Sequence, residues 1–198
     1  MCNSILHDLD FDLLENDKKI SNIKEFLINF GYKSEIKIEG EHENSLRFRI
    51  LINGPLYKNK RETMCRIIID FSEREKPLIK PVLNTYYSLY NDVPPFQIWS
   101  LDLKEILAEK IRALVTRKKA RDLYDINFLL KKNVDTDIAI VNKKLEYYGL
   151  GFSEDLINSA LRDINFKWVP ELKNFTNNLE DFHTVSLYVS NEIIKMPI

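Results

Sequence analysis

Glycine is scarce in this chain, five in 198 residues, and there are seven prolines and two cysteines. So few flexible and breaking residues exclude a collagen-like, low-complexity or linker-dominated polymer, and no repeat recurs at a fixed period. Cys2 and Cys65 stand alone, with no metal-ligand spacing. Two isolated thiols fit a reducing compartment, with a single disulfide left open. No apolar run approaches the roughly 20 residues that span a bilayer. The opening "MCNSILHDLDF" has neither the basic nor the apolar stretch of a signal peptide. The expectation is a cytoplasmic protein with no membrane contact.

Net charge is nearly absent as well: 29 basic against 30 acidic side chains leave −1. The field of the whole molecule therefore argues neither for nor against nucleic acid, and any phosphate-binding surface has to be local. His7, His42 and His183 have no cysteine or second histidine at ligand spacing, which sets zinc aside. No GxSxG, Walker A or GxGxxG segment occurs, so the chemistries those motifs carry are set aside too.

What the chain does have is an ordinary globular composition, 44% hydrophobic and 30% charged, over a length that suits one sizeable domain or two small ones. Residues 5–14, "ILHDLDFDLL", alternate, with Leu9, Phe11 and Leu13 on one side of a strand and Asp8, Asp10 and Asp12 on the other. Residues 18–30 space Ile20, Ile23, Phe26, Leu27 and Phe30 as a helical stripe, with Gly31 as a natural stop. "KSEIKIEGE", "SLRFRILI" and "MCRIIIDFS" read as neighbouring strands. Between 76 and 99, Pro77, Pro81, Pro94 and Pro95 forbid a long helix and fragment any strand, which marks a boundary. Beyond it, helices are expected at "LDLKEILAEKIRALVTR", at "ARDLYDINFLL", and near 135–148, 153–164 and 178–195. The expected organisation is a sheet domain over 1–95 and a helical domain over 96–198, an α+β protein.

Acids at 8, 10 and 12 are the ordinary means of keeping a strand edge soluble. Aspartate is nevertheless a poor strand former, and three on one face repel, so a compensating cation is expected. Carboxylates two apart on a strand point the same way and can share a hard divalent ion. Asp70 closes the apolar run Ile67–Ile68–Ile69, and a neighbouring strand could bring it beside the other two. Two aspartates one residue apart with a third acid nearby is how nucleotidyltransferases hold two metals.

The most informative stretch is "LAEKIRALVTRKKARDLYDINFLL", residues 107–130. Lys110, Arg112, Arg117, Lys118, Lys119 and Arg121 crowd ahead of Asp122 and Asp125 at a helix junction. The plain reading is a solvated face with Arg121 and Asp125 paired at i, i+4, worth about 0.2–0.5 kcal/mol. Lys110 lies close to the stripe of Leu107, Ile111 and Leu114, which suits an ammonium aimed at a phosphate rather than at bulk water.

This stretch resembles the signature of the AbiEii family of nucleotidyltransferase-like toxins of type IV toxin–antitoxin systems. The matching residues are Glu109 and Lys110, Ala113 and Leu114, then Arg117, Lys119, Arg121, Asp122, Tyr124 and Asp125, followed by Leu129 and Leu130; "DLDF" at 8–11 and Asp70 also fit. The resemblance implies a polymerase-β-type nucleotidyltransferase sheet followed by a helical domain. It implies transfer of a nucleoside monophosphate from an NTP to an acceptor, with tRNA as one candidate, and an antitoxin protein as partner. Asp8, Asp10 and Asp70 would hold Mg²⁺ or Mn²⁺, with Asp70 helping to activate the acceptor hydroxyl. Lys110 would contact the triphosphate, Arg117 and Arg121 would bind nucleotide, and Asp122 would be a further essential acid, with Asp125 joining it or anchoring Arg121.

Where the family has a Gly-Gly-Thr turn a dozen or more residues before the first metal acid, only seven residues precede Asp8 here, none of them glycine. Ser4 and Leu6 stand where the family has an arginine and a serine. Either the true start lies upstream or the form is shortened, and the expectation is weak or absent transferase activity for these 198 residues. The alternative is a catalytically idle remnant that binds RNA or a partner through its basic helix pair. Trp99, Trp168 and the tyrosines of 84–90 suit base stacking or, more ordinarily, packing. The C-terminal "LEDFHTVSLYVSNEIIKM" could pack on the helical domain or meet an antitoxin, and its pattern supports packing alone.

Overall fold

The computed structural model describes residues 8–12, 20–29, 31–42, 45–54, 56–72 and 75–194, with the side chains of 8–12 and 20–22 outside that description. The chain divides into two compact units, with the break between Lys76 and Pro77.

Among the described residues the first unit is a mixed four-stranded sheet with one α-helix and a short 3-10 turn at Arg61–Thr63. Strands β1 (Asp8–Asp12), β2 (Ser34–His42), β3 (Ser45–Ile52) and β4 (Cys65–Ser72) lie in the order β1-β4-β3-β2, and helix α1 spans Ile20–Asn29. β1 runs parallel to β4, while β4, β3 and β2 are antiparallel neighbours. The alternation of β3 decides which face is which. Leu46, Phe48, Ile50 and Ile52 are buried, joined by Ile69, and α1 covers them with Leu27 and the half-buried Ile23. Each fully buried aliphatic side chain contributes about 1.5–3 kcal/mol before entropy is counted. Phe26, expected in the apolar stripe of α1, instead points largely to solvent, because Ile23 and Leu27 already fill the one-turn spacing toward the sheet. Gly31 ends α1 at φ +76°, with Gly31 N–H donating to the Ile28 carbonyl and Tyr32 N–H to that of Leu27.

β2 carries a bulge between Ile38 and Gly40, so that Glu39 and Gly40 together oppose Arg47. The bulge shifts the register by one residue, so that beyond it Glu41 pairs with Leu46 and His42 with Ser45.

The second unit begins with a hairpin, β5 (Val82–Tyr86) paired antiparallel with β6 (Phe96–Ser100), inside the stretch expected to hold no intact strand. The prolines flank these strands rather than interrupt them, Pro81 preceding one and Pro94–Pro95 the other. Six helices follow: α2 (Leu103–Arg117), α3 (Ala120–Lys131), α4 (Ile138–Glu146), α5 (Glu154–Asn165), α6 (Trp168–Leu172) and α7 (Phe182–Ile194). They share one core, to which α2 gives Leu107, Ile111 and Leu114, α3 gives Leu123 and Ile126, and α5 gives Ile157 and Ile164. Trp168 is buried there too, its indole N–H donating to the Glu180 carbonyl and its ring edge-on to Phe182, whereas Trp99 on β6 is exposed. Side-chain caps start α2 at Asp102, α4 at Asp137 and α5 at Ser153. Among the described residues no helix is long and apolar enough to cross a membrane, and Cys65 is a free, exposed thiol; Cys2 and His7 lie outside those residues.

Candidate active site

The parallel pairing of β1 with β4 sets Asp10 opposite Asp70, with Asp8 opposite Ile68 and Asp12 opposite Ser72. Residues paired across a sheet share a face, and residues two apart on a strand do as well. Positions 8, 10, 12 and 70 therefore lie on one face, opposite the buried one that holds Ile69 and Phe48. The antiparallel neighbour continues the row, since Arg47 on β3 pairs with Asp70, and its guanidinium nitrogen lies 3.2 Å from Asp70 Oδ2. Arg49, two residues on, is ion-paired with the bulge residue Glu39, which also lies 3.8 Å from Arg47.

Asp70 remains part-exposed, 28% at the side chain, and so is reachable from solvent. The donor set suits a hard divalent ion, because carboxylates in register on adjacent strands can share one cation through oxygen. Arg47 is a cation that Asp70 meets among the described residues, and a metal would compete with it. The side chains of Asp8 and Asp10 are outside the described residues, among which no group of three or more His, Cys, Asp or Glu converges as metal ligands.

In the helical unit the motif of residues 109–125 folds into α2, a turn and α3. Lys118 makes the turn in the left-handed region, φ +51°, and closes α2 with its N–H on the Leu114 carbonyl. Asp125 bonds Lys110, Nζ to Oδ2 at 2.7 Å, and not Arg121 as the i, i+4 spacing suggests. The turn folds α3 back along α2, which brings Asp125 against Lys110 of the neighbouring helix. Arg121 lies over the Phe175 ring instead, 5.8 Å from its centroid. Asp122 is fully buried and receives a two-pronged bond from Arg117, Nε to Oδ2 at 2.8 Å and a terminal nitrogen to Oδ1 at 2.6 Å. That geometry fits a carboxylate that aims Arg117, whose own side chain stays about half exposed.

Glu105 and Lys144 form a buried centre that sequence reasoning missed. Both are almost inaccessible, bonded at 2.8 Å, and Lys144 also bonds Glu109 at 2.9 Å. Glu105 further accepts the N–H groups of Leu78 and Ile79, each at 2.8 Å. Burial works against the charge of each partner. For Lys144 the hydrogen bonds it donates to Glu105 and Glu109 win and hold it above the ordinary lysine range. For Glu105 the bonds from Lys144, Ile79 and Leu78 win and hold it below its ordinary value. A signal was present: Lys144 falls on the stripe of Ile140, Val141 and Leu145, an apolar position that a lysine occupies only with a partner.

The comparisons with known proteins agree with this architecture. Two solved structures from Helicobacter pylori are similar over 96% of this chain. One is the crystal structure of JHP933, at 18% identity and TM-score 0.55 with 74% of its length covered. The other is a candidate nucleotidyltransferase, at 19% identity and TM-score 0.55 with 76% covered. At such identities the likeness establishes the fold, a nucleotidyltransferase-type mixed sheet followed by helices. No curated protein matches. Residues 7–187, nearly the whole chain, match the family described as nucleotidyl transferase AbiEii toxin of the type IV toxin–antitoxin system, and the chain is a member of that family.

Proposed function

We propose that the chain transfers a nucleoside monophosphate from an NTP to an RNA acceptor, tRNA being the first candidate, and works in the cytoplasm under the control of an antitoxin protein. The observation that carries this reading is the pairing of Asp10 with Asp70 on adjacent parallel strands, on the polar face of the sheet. In this reading Asp8, Asp10 and Asp70 hold Mg²⁺ or Mn²⁺. The bound ion supplies Lewis acidity toward phosphoryl oxygens and lowers the pKa of an attacking hydroxyl. Arg47 orients Asp70 through its 3.2 Å contact and balances its charge. Asp70 takes part in removing the acceptor's proton. Lys110, steadied by Asp125, offers its ammonium to triphosphate oxygens. Arg117 and Arg121 bind nucleotide, the first of them aimed by the buried Asp122.

The second reading, an idle remnant that binds RNA or a partner, is favoured by the same Arg47–Asp70 pair, which satisfies the acid internally. One assay separates the two. Purified protein is incubated with total RNA, each labelled NTP in turn, and Mg²⁺ or Mn²⁺. Transfer predicts label in RNA that disappears with chelator and falls by roughly a hundredfold or more in Asp10→Asn and Asp70→Asn, the scale on which electrostatic groups at phosphoryl transfer act. Wild-type protein that labels no RNA with any NTP supports the idle reading.

A further inference from the structure

The turn from α2 to α3 is bolted to the corner from α5 to α6. Lys118 Nζ bonds Asp163 at 2.6 Å, Lys167 Nζ bonds the Lys118 carbonyl at 3.1 Å, and Ala120 N–H donates to Glu171 at 2.9 Å. Two segments distant in sequence, 117–122 and 162–173, are thereby brought together. Between them they carry seven cations and three acids, a local excess of four on a chain whose total is −1. The acids are committed: Asp122 is buried under Arg117, Glu171 caps α3, and Asp163 is matched to Lys118. Asp163 registers the local field, since its hydrogen bond to Lys118, with the charges of Lys118, Lys167 and Arg162, holds its carboxyl below the ordinary aspartate value although it is exposed. At the centre of the corner Phe166 stands 86% exposed, flanked in sequence by the exposed Lys167.

We propose that this surface docks single-stranded RNA, with Lys119, Arg162 and Lys167 on backbone phosphates and Phe166 stacked under a base. Cations beside an exposed aromatic plane match the alternation of phosphate and base in an unpaired strand. A duplex keeps its base faces covered and gives Phe166 nothing to stack on. An acidic protein segment would use the cations but leaves the aromatic plane without a purpose. The inference gives the acceptor strand of the transferase reading a place to bind and draws its purpose from that reading, but it is measured by binding alone.

The test is fluorescence anisotropy of a labelled single-stranded RNA of roughly a dozen nucleotides, within the range one such surface covers, with the full chain at several salt concentrations. The triple variant Lys119→Glu, Arg162→Glu, Lys167→Glu is expected to weaken binding at least about tenfold. It is also expected to lower the slope of log affinity against log salt by about 2, three phosphates at roughly 0.7 each. Phe166→Ala is expected to lose about fivefold or more with the salt slope unchanged, and Phe166→Trp to restore it, since stacking is not ionic. Circular dichroism melting of each variant identifies any that misfold, and Phe166→Trp keeps the surface testable if one does. Wild-type affinity in both the triple variant and Phe166→Ala would overturn the proposal. So would a polyglutamate peptide that binds as tightly as RNA and is indifferent to Phe166. Asp70→Asn separates this inference from the reaction: RNA affinity is expected to stay at the wild-type value while incorporation is lost. Incorporation without RNA binding at this surface sinks the site and spares the reaction; binding without incorporation does the reverse.

Discussion

Lys144 has the most to lose from a single change. It is 2% exposed between Glu105 and Glu109, and removing one member of a buried ionic group leaves an uncompensated charge, a cost of about 3–5 kcal/mol. Lys144→Met is expected to destabilise the helical unit on that scale in chemical denaturation. Lys104→Met, which removes an ammonium from its exposed partner Asp135, is expected to cost no more than about 1 kcal/mol. The pH dependence follows from the directions of the shifts. Glu105 is held below its ordinary value of 4.5, so its contribution is complete above that pH and is lost as acidification passes through the lowered folded value. Lys144 is held above its ordinary 10.5, so its contribution is complete below that pH and is lost only at still more alkaline pH. Melting temperatures between pH 5 and 9 are expected to be insensitive to this group. A steep decline across that window would contradict it.

At the scale of elements, the strands and long helices were legible because each has an unambiguous period. β3 reads off its buried Leu46, Phe48, Ile50 and Ile52, and α2 off Leu107, Ile111 and Leu114. Three things were not legible. The β5–β6 hairpin was masked by prolines, of which Pro81, Pro94 and Pro95 sit just outside the strands, a position that matters more than their number. The short α6 was hidden by Pro170, which is tolerated because it sits in the first helical turn, where its missing N–H has no partner to lose. The partners of Arg117 and Asp125 could not be read by i, i+4 counting, because that count assumes an unbroken helix and Lys118 turns the chain back. The face shared by positions 8, 10 and 12 followed from alternation, but the parallel register that sets 70 beside them, paired with 10, is a long-range property no local pattern contains. Helix endings are more local. Gly31 at φ +76° has no atom near enough to hinder an added methyl, so Gly31→Ala isolates the cost of a left-handed backbone. Urea denaturation is expected to register a loss of about 1–2 kcal/mol.

For the molecule as a whole, membership of a toxin family makes growth the natural readout. Induced expression of the wild-type chain is expected to slow bacterial growth, and Asp70→Asn to relieve the effect at an equal level of soluble protein. Equal arrest by both would detach toxicity from the acidic face. The near-zero net charge also takes on meaning at this scale. A chain at −1 has no general attraction for polyanions, so an affinity for RNA has to arise where the fold concentrates cations, and it should be steeply sensitive to salt.

The hold of Glu105 on the amides of Leu78 and Ile79 has a consequence in time rather than in space. These two hydrogens are secured by a side chain rooted in the α2 core instead of by a strand or helix of their own. Their exchange with deuterium is expected to follow the opening of that core, far slower than that of other irregular segments. In Glu105→Ala the same two sites are expected to exchange at the rate of an unprotected peptide.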